Sequence, residues 1–473
     1  MYCFRKYFVT LYLISCKEAK KMTKNKGNRT IAIGLMLFAL FFGAGNLIFP
    51  ASMGQSSGTN VWYAVGGFII TGVGMPLLGV LAMGYSGCSN LQELTGRIGK
   101  KYAVFFTVIC YIAIGPAFCI PRTGTVSYEI AVRPLLDNGS SEPVMWAFLV
   151  LFFIITWWLS INPAKLVDRI GKMLTPMLLL TILALIIKSF VTPMGVPQTP
   201  LAAYATGITA FSQGALDGYN TLDAIGAFVF AILVIEFVKE DGAATQQEVT
   251  REVFKAGLIA VSLLAFVYIF VAYLGAQSVQ TIGLQETGAP VLSLSAQILF
   301  GYGGALLLAV IVLLACLSTA IGLVTSCAAY FHQLIGGTSF KNYATIFTIL
   351  SFVVATVGLK TIIAAAIPVL MFLYPLVVSN IILTFTHNLF GGRRCVWVSS
   401  TAFTFVPALV TGLETAKIPL GPIDTVFAML PFHSLGMDWI PFLIAGILVG
   451  SVTKCESILS TSFFSCSFSF FRE

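Results

Sequence analysis

Three stretches of this chain place polar groups inside apolar surroundings, and together they could bind a small charged solute and a cation. The first is Phe42-Gly43-Ala44-Gly45-Asn46, set within IAIGLMLFALFFGAGNLIFP (31–50). Two glycines and an amide in the middle of such a run invite the helix to unwind. Freed N–H and C=O groups are tolerated at membrane depth only where they line a cavity or are buried in protein. A helix that comes apart halfway is therefore a candidate binding site, although the same Gly-x-Gly would also let a neighbouring helix pack closely. The second stretch is Asp217-Gly218-Tyr219-Asn220-Thr221-Leu222-Asp223, two carboxylates, a glycine and an amide ahead of the apolar run 224–235. An ionisable group inside a span costs about 2.5–3.5 kcal/mol to insert, so such groups face water or protein. Either this stretch interrupts a span over 206–238, or it is a loop and the span begins at Leu222.

The third stretch lies in ALLLAVIVLLACLSTAIGLVTSCAAYF (305–331), where Ala315, Ser318, Thr319 and Gly322 share one helix face. Two hydroxyls and a backbone carbonyl make a hard-oxygen half-site suited to Na+. Hydroxyls in spanning helices also serve as plain interhelical contacts.

Other chemistries lack their residues. The three histidines, His332, His387 and His433, fall at predicted helix ends with no partner, so no nucleophile–base or metal constellation forms and no enzyme is expected. The ten cysteines are scattered, mostly in apolar runs, and read as small core residues rather than a disulfide or zinc framework. There is no Gly-rich Lys-Ser/Thr loop for ATP and no organic cofactor is implied. A channel needs a continuous polar pore, whereas the polar groups here cluster at one depth.

The elements that must hold these groups are membrane helices. Of 473 residues, 58% are hydrophobic and 10% charged, with a mean hydropathy of +0.92; soluble domains average roughly 25% charged. Apolar runs of about 20 residues recur throughout, the pattern of an all-α polytopic membrane protein. Twelve spans are predicted: 30–49, 61–85, 102–121 (extending toward Val132), 144–160, 173–191, 206–238, 256–276, 301–331, 342–358, 361–384, 397–413 and 437–453. With the N-terminus inside, 22 of the 27 Lys/Arg fall on the cytoplasmic side, which places both termini in the cytoplasm. The net charge of +8 then marks orientation, not nucleic-acid binding. Residues 1–29 form a basic N-terminal segment whose first 21 residues read as an upstream extension, and 454–473 form an irregular tail.

Spans one and six stand five helices apart and each carries an interruption. Five is odd, so a second five-helix unit enters the membrane from the opposite side. Broken first helices in an inverted repeat point to a secondary transporter with its site between the halves. The expected organisation is a first repeat over 30–200, a second over 201–390, and two additional helices over 391–453.

FALFFGAGNLIFP, VGMPLLGVLAMGYSG, IGPAFCIPRTGTVSYEI, GYNTLDAIGAFVFAILV and LSTAIGLVTSCAAYF, in that order, resemble the branched-chain amino acid:cation symporters, the BrnQ family. The resemblance spans about 30–447. It implies a leucine-transporter-like, APC-type fold and import of leucine, isoleucine and valine across the cell membrane by symport with Na+. A proton-coupled carrier, with Asp217 or Asp223 titrating, is the alternative. It implies that Phe42, Gly43, Ala44, Gly45 and Asn46 surround the substrate with Gly218, Tyr219, Asn220, Thr221 and Asp223. Ile114 and Phe118 of span three add side-chain walls, with Ala117 and Leu222 available to the apolar pocket. The shared sodium site maps onto the carbonyls of Ala39 and Phe42 and onto Ala315, Ser318 and Thr319, and Asn46 matches a ligand of a second sodium in some relatives. The resemblance departs in one place: Ile48 stands where an outer-gate arginine precedes Phe49-Pro50. Arg122, paired with Glu129, is the candidate replacement, beside a helix-end snorkelling role.

Overall fold

The computed structural model describes residues 26–453 apart from 89, 137–141, 162–178, 181, 186, 241 and 244. The expected N-terminal segment up to residue 25, the tail 454–473 and the first part of the fifth predicted span lie outside the described residues. Its regular elements are helices, joined by stretches such as 193–201 that carry none. In order, α1 is Lys26–Phe41, α2 Ala44–Ser57, α3 Val61–Ile69, α4 Met75–Ser86, α5 Leu91–Thr95, α6 Lys100–Ile112, α7 Cys119–Ala131 and α8 Glu142–Ser160. There follow α9 (Gly207–Tyr219), α10 (Asp223–Glu240), α11 (Gln246–Ile282), α12 (Gly288–Ile335), α13 (Phe340–Ala355), α14 (Leu359–Thr386), α15 (Arg394–Thr415), α16 (Pro422–Ala428) and α17 (Trp439–Val452).

Among the described residues, seven continuous helical stretches are long and apolar enough to cross a bilayer unaided, and three shorter apolar helices accompany them. The number falls below twelve for a physical reason. A bilayer core of about 30 Å needs about 20 helical residues, and α1 and α2 contain 16 and 14. α1 is too short alone, whereas α2 runs on into span two as one stretch, Ala44–Ser86, and α10, 18 residues long, carries Asp223, Glu236, Lys239 and Glu240.

Two predicted spans run longer than their apolar cores. Span seven is the 37 residues of α11. Span eight belongs to α12, 48 residues bent at Gly301, where φ is 68°. Spans two and three contain π-helical turns, Ile70–Gly74 and Ala113–Ala117, the second at Gly115-Pro116 where the backbone leaves helical geometry. Proline removes an N–H from the ladder, and a π turn absorbs the extra residue.

Helix pairing sets the frame of the site. Both α1 and α2 pack on α11, while α9 packs on α3 and α10 on α4. α7 packs on α12 and α13, and α8 on the same two helices; α15 joins α14 to α17. The contacts are tight because glycines let backbones meet. A Cβ on Gly54 of α2 would stand 1.9 Å from the carbonyl oxygen of Ala272 in α11, and one on Gly214 of α9 would stand 2.0 Å from that of Ala64 in α3. This is small-residue packing of the kind that drives association where lipid is as apolar as the side chains.

Of the ten cysteines, Cys88, Cys110, Cys119, Cys316 and Cys327 carry free thiols, and all but Cys119 are buried. Cys395 differs from the expectation: it is disulfide-bonded.

Candidate functional site

The break in the first helix has a local cause. Phe42 N–H closes the last turn of α1 on the carbonyl of Phe38 at 2.7 Å. Gly43 N–H, which in a continuous helix would return to the carbonyl of Ala39, instead donates to Asn46 Oδ1 at 3.0 Å. Gly43 is extended (φ −120°, ψ −168°) and α2 begins at Ala44, so Asn46 caps the second helix by reaching back to its start. The interruption is therefore narrower than the expected Gly43–Asn46. It comprises Phe42 and Gly43, while Ala44, Gly45 and Asn46 form the first turn of α2, whose leading N–H groups have no intrahelical acceptor.

The second break is similarly compact. Residues 217–219 complete α9, Asp223 opens α10, and only Asn220, Thr221 and Leu222 lie between. Asn220, Thr221 and Leu222 N–H groups turn back on the carbonyls of Asp217, Gly218 and Tyr219. Leu222 then takes a positive φ of 66° while fully buried. A bulky side chain in that region is strained by about 1–2 kcal/mol, and such strain concentrates at functional sites. The loop alternative for 217–223 is thus replaced by a break between two helices.

The two breaks meet through side chains. Asn46 Nδ2 donates to Asp223 Oδ2 at 2.5 Å and to the Tyr268 hydroxyl at 2.5 Å, and that hydroxyl donates to the same Asp223 oxygen at 3.1 Å. Asn46, Asp223 and Tyr268 are 2%, 5% and 1% exposed. A buried carboxylate is thereby held by neutral donors from α2 and α11.

Arg122, on α7, approaches from the other side. Its Nη1 donates to the carbonyl of Asn220 at 2.7 Å and its Nη2 to that of Thr221 at 3.5 Å. The guanidinium lies 5.0 Å from the Phe49 ring centroid, within cation–π range. A Cβ on Gly45 would stand 2.6 Å from Nη2, so this glycine makes room for the charge. The expected pairing with Glu129 does not occur. Glu129 takes Arg133, one helical turn further on, at 2.5 Å, because Glu129 lies seven residues beyond Arg122 and near the C-terminal end of α7. Arg122 is 3% exposed, which rules out a snorkelling role.

The hydroxyl face of α12 adjoins the first break. Ser318 Oγ and Thr319 Oγ1 both donate to the carbonyl of Ala315, at 2.8 and 3.0 Å. A Cβ on Gly43 would stand 3.4 Å from Thr319 Cγ2 and 3.6 Å from its Oγ1. Thr319 thus adjoins Gly43, whose N–H does not return to the Ala39 carbonyl, and shares the Ala315 carbonyl with Ser318.

The remaining predicted residues frame the breaks in different ways. Phe42 is buried and stacks on Phe38 at 4.9 Å. Ile114 sits in the π turn of span three, its Cδ1 3.2 Å from where a Cβ on Gly226 of α10 would be. Phe118, half-buried, is the joint between that turn and α7. Gly218 faces span two, where a Cβ would meet Thr71 Oγ1 at 2.0 Å. Tyr219 lies flat on Tyr374 of α14, centroids 3.9 Å apart. Asp217 accepts from the Tyr204 hydroxyl and from Gln213 Nε2. Tyr268 is the residue the sequence did not reveal, since either tyrosine of VYIFVAYL reads equally well as core.

The branched-chain amino acid transport protein family matches residues 26–457 of this sequence. The chain belongs to that family. It is 43% identical over 423 residues to the branched-chain amino acid permease BrnQ of Bacillus subtilis (strain 168), covering 89% of this chain and 96% of the relative. It is 39% identical over 439 residues to the branched-chain amino acid transport system 2 carrier protein of Pseudomonas aeruginosa, covering 93% and 98%. Membership makes it a multi-pass membrane carrier rather than an enzyme. Two solved structures share the fold. Mhp1, a nucleobase-cation-symport-1 family transporter in a closed conformation with bromovinylhydantoin bound, superposes with a TM-score of 0.58 at 15% identity, covering 89% of this chain and 91% of its own. MhsT in complex with L-phenylalanine gives 0.54 at 17%, covering 88% and 97%.

Proposed function

We propose that this protein imports leucine, isoleucine and valine across the plasma membrane by symport with Na+. The observation that carries the reading is the meeting of two helix breaks at a buried carboxylate, Asp223, held by Asn46 and Tyr268. The names of the curated relatives supply the substrate class. A zwitterion entering a low-dielectric site needs both charges met. Asp223 takes the ammonium, and the leading N–H groups of α2 offer partial positive charge to the carboxylate. Phe42, Ile114, Ala117, Phe118 and Leu222 bound the branched side chain. One methylene is worth only about 1–3 kcal/mol in such a pocket, so the three substrates compete closely.

The sodium ion is co-substrate. Hard oxygens suit it, and the carbonyls of Ala39, Phe42 and Ala315 with the hydroxyls of Ser318 and Thr319 form a donor set of that kind, drawn from the end of α1, the first break and α12. An ion there ties the two helices together and favours the state that accepts substrate. One charge moving down roughly 100 mV yields about 2.3 kcal/mol, enough for roughly 50-fold accumulation.

The inverted five-plus-five arrangement, with twelve spans, two of them C-terminal to the repeats, and both termini inside, is part of the same reading. Its support is the pairing of helices. Exchanging the first five predicted spans for the second five turns the one–seven contacts of α1 and α2 with α11 into the six–two contacts of α9 and α10 with α3 and α4. The three–nine contact of α7 with α13 becomes the eight–four contact of α12 with α8.

The test is uptake of labelled leucine into proteoliposomes with sodium and pH gradients imposed separately. Accumulation driven by inward sodium at constant pH is the expected result. Accumulation driven by the proton gradient alone would move the coupling to a titrating carboxylate, Asp217 or Asp223.

A further inference from the structure

We propose that Arg122 is the anchor for the substrate's carboxylate, so that the site binds an amino acid by inserting it between two separated opposite charges. The inference rests on the substrate reading above and names a residue for the half of the zwitterion that helix dipoles alone serve weakly.

The observation is an electrostatic mismatch. Arg122 and Asp223 are opposite charges, both buried, facing the same three-residue break of span six. Arg122 binds the Thr221 carbonyl, and Asp223 begins two residues later; two residues of chain reach at most about 7 Å. Yet they form no ion pair. Asp223 accepts at Oδ2 from an amide and a phenol. Arg122 spends its fork on two backbone carbonyls, a long contact to Cys119 Sγ and an aromatic face. Its Nε has no acceptor at all. A guanidinium is costly to bury, and neutral acceptors offset that less completely than a carboxylate does. Two opposite charges kept apart by neutral partners are complementary to a ligand that carries both.

Guanidinium also has the right shape. Its planar fork matches a carboxylate with two parallel N–H···O bonds, which neither an ammonium nor a helix end reproduces. In the bound state the substrate carboxylate takes the Nη and Nε donors, and its ammonium takes Asp223. Because the same guanidinium holds the carbonyls of Asn220 and Thr221, substrate arrival exchanges those contacts and frees the span-six break to move. Gly45 is part of the device, since any Cβ there would displace the guanidinium.

The experiment compares leucine with leucinamide, which keeps the side chain and the ammonium but lacks the carboxylate. Apparent affinities are read from ligand-induced thermal shifts of the purified full-length protein, in the wild type, R122Q, R122K and G45A. Wild type should prefer leucine by about 10- to 100-fold, the range of a charge-assisted hydrogen-bond pair. R122Q should lower leucine affinity by that factor, leave leucinamide within about threefold, and so erase the preference. G45A and R122K should each reduce it. If Arg122 merely supports span six, R122Q weakens both ligands equally and the proposal falls. A wild type that binds leucine and leucinamide alike also overturns it. Should R122Q not be recovered folded, an undiminished preference in both G45A and R122K refutes it. A wild type that binds neither ligand refutes the substrate reading instead.

Discussion

Replacing Asp223 by Asn isolates the charge at the centre of the site. The carboxylate is 5% exposed and accepts from Asn46 Nδ2 and Tyr268 OH. An Asn side chain has the same shape, and its Oδ1 can accept both bonds, so the variant keeps the joint between the two broken helices. What it loses is the negative charge facing the ammonium. Coulomb attraction between unit charges 4 Å apart is about 4 kcal/mol at an effective dielectric of 20, and part of that is spent desolvating the ligand. Hydrogen bonds to charged groups measure about 1.5–3 kcal/mol, so D223N should raise the KM for leucine uptake by about 10- to 150-fold at saturating sodium. The assay is initial-rate uptake in proteoliposomes, with the amount of folded protein fixed by size-exclusion chromatography. Leucinamide keeps the ammonium, so its affinity should fall by the same factor, unlike its response to R122Q. A D223N protein with a leucine KM within about threefold of wild type would show that the ammonium is met elsewhere, and the reasoning about the joint would fail.

Ser318→Ala and Thr319→Ala each remove one oxygen from the face beside Gly43. Each should shift the sodium concentration for half-maximal uptake upward by about tenfold while leucine affinity at saturating sodium changes little; unchanged sodium activation in both removes the site from α12. Gly54→Ala sets a Cβ 1.9 Å from a backbone carbonyl of α11, and since backbone cannot rotate away, it should cost about 1–3 kcal/mol or more in packing. A lowered melting temperature of the detergent-solubilised protein is the expected readout, and an unchanged one would mean the α2–α11 contact is looser than drawn.

Much of the architecture was legible because lipid punishes the same residues everywhere. Glycine, amide and carboxylate inside apolar runs have few places to go in a bilayer, so 43–46 and 217–223 announced breaks, and narrower ones occur at 42–43 and 220–222. Their width was not legible. Whether Asn46 lies in an unwound segment or caps the next helix depends on one side-chain rotation, and its turn back to Gly43 N–H shortens the gap to two residues. The hydroxyls of α12 were legible for a different reason, since i+3 and i+4 spacing fixes both on the Ala315 carbonyl before any tertiary contact is known.

Arg122 and Tyr268 mark where such reasoning stops. Local spacing offered Arg122 a carboxylate at Glu129, but Glu129 had a better-placed arginine one turn away, and the acceptors that Arg122 does find are backbone carbonyls 98 and 99 residues distant. Carbonyls carry no residue identity, so no sequence pattern points to them. They exist as acceptors only because Leu222, held at positive φ, stops the span from continuing as one helix. The strain at Leu222 and the burial of Arg122 are therefore two sides of one arrangement: the break supplies the oxygens that make the buried cation tolerable, and the cation holds the break open. Closing the helix through 220–222 would strand Arg122 without acceptors, an outcome costing more than the roughly 1–2 kcal/mol of backbone strain it relieves.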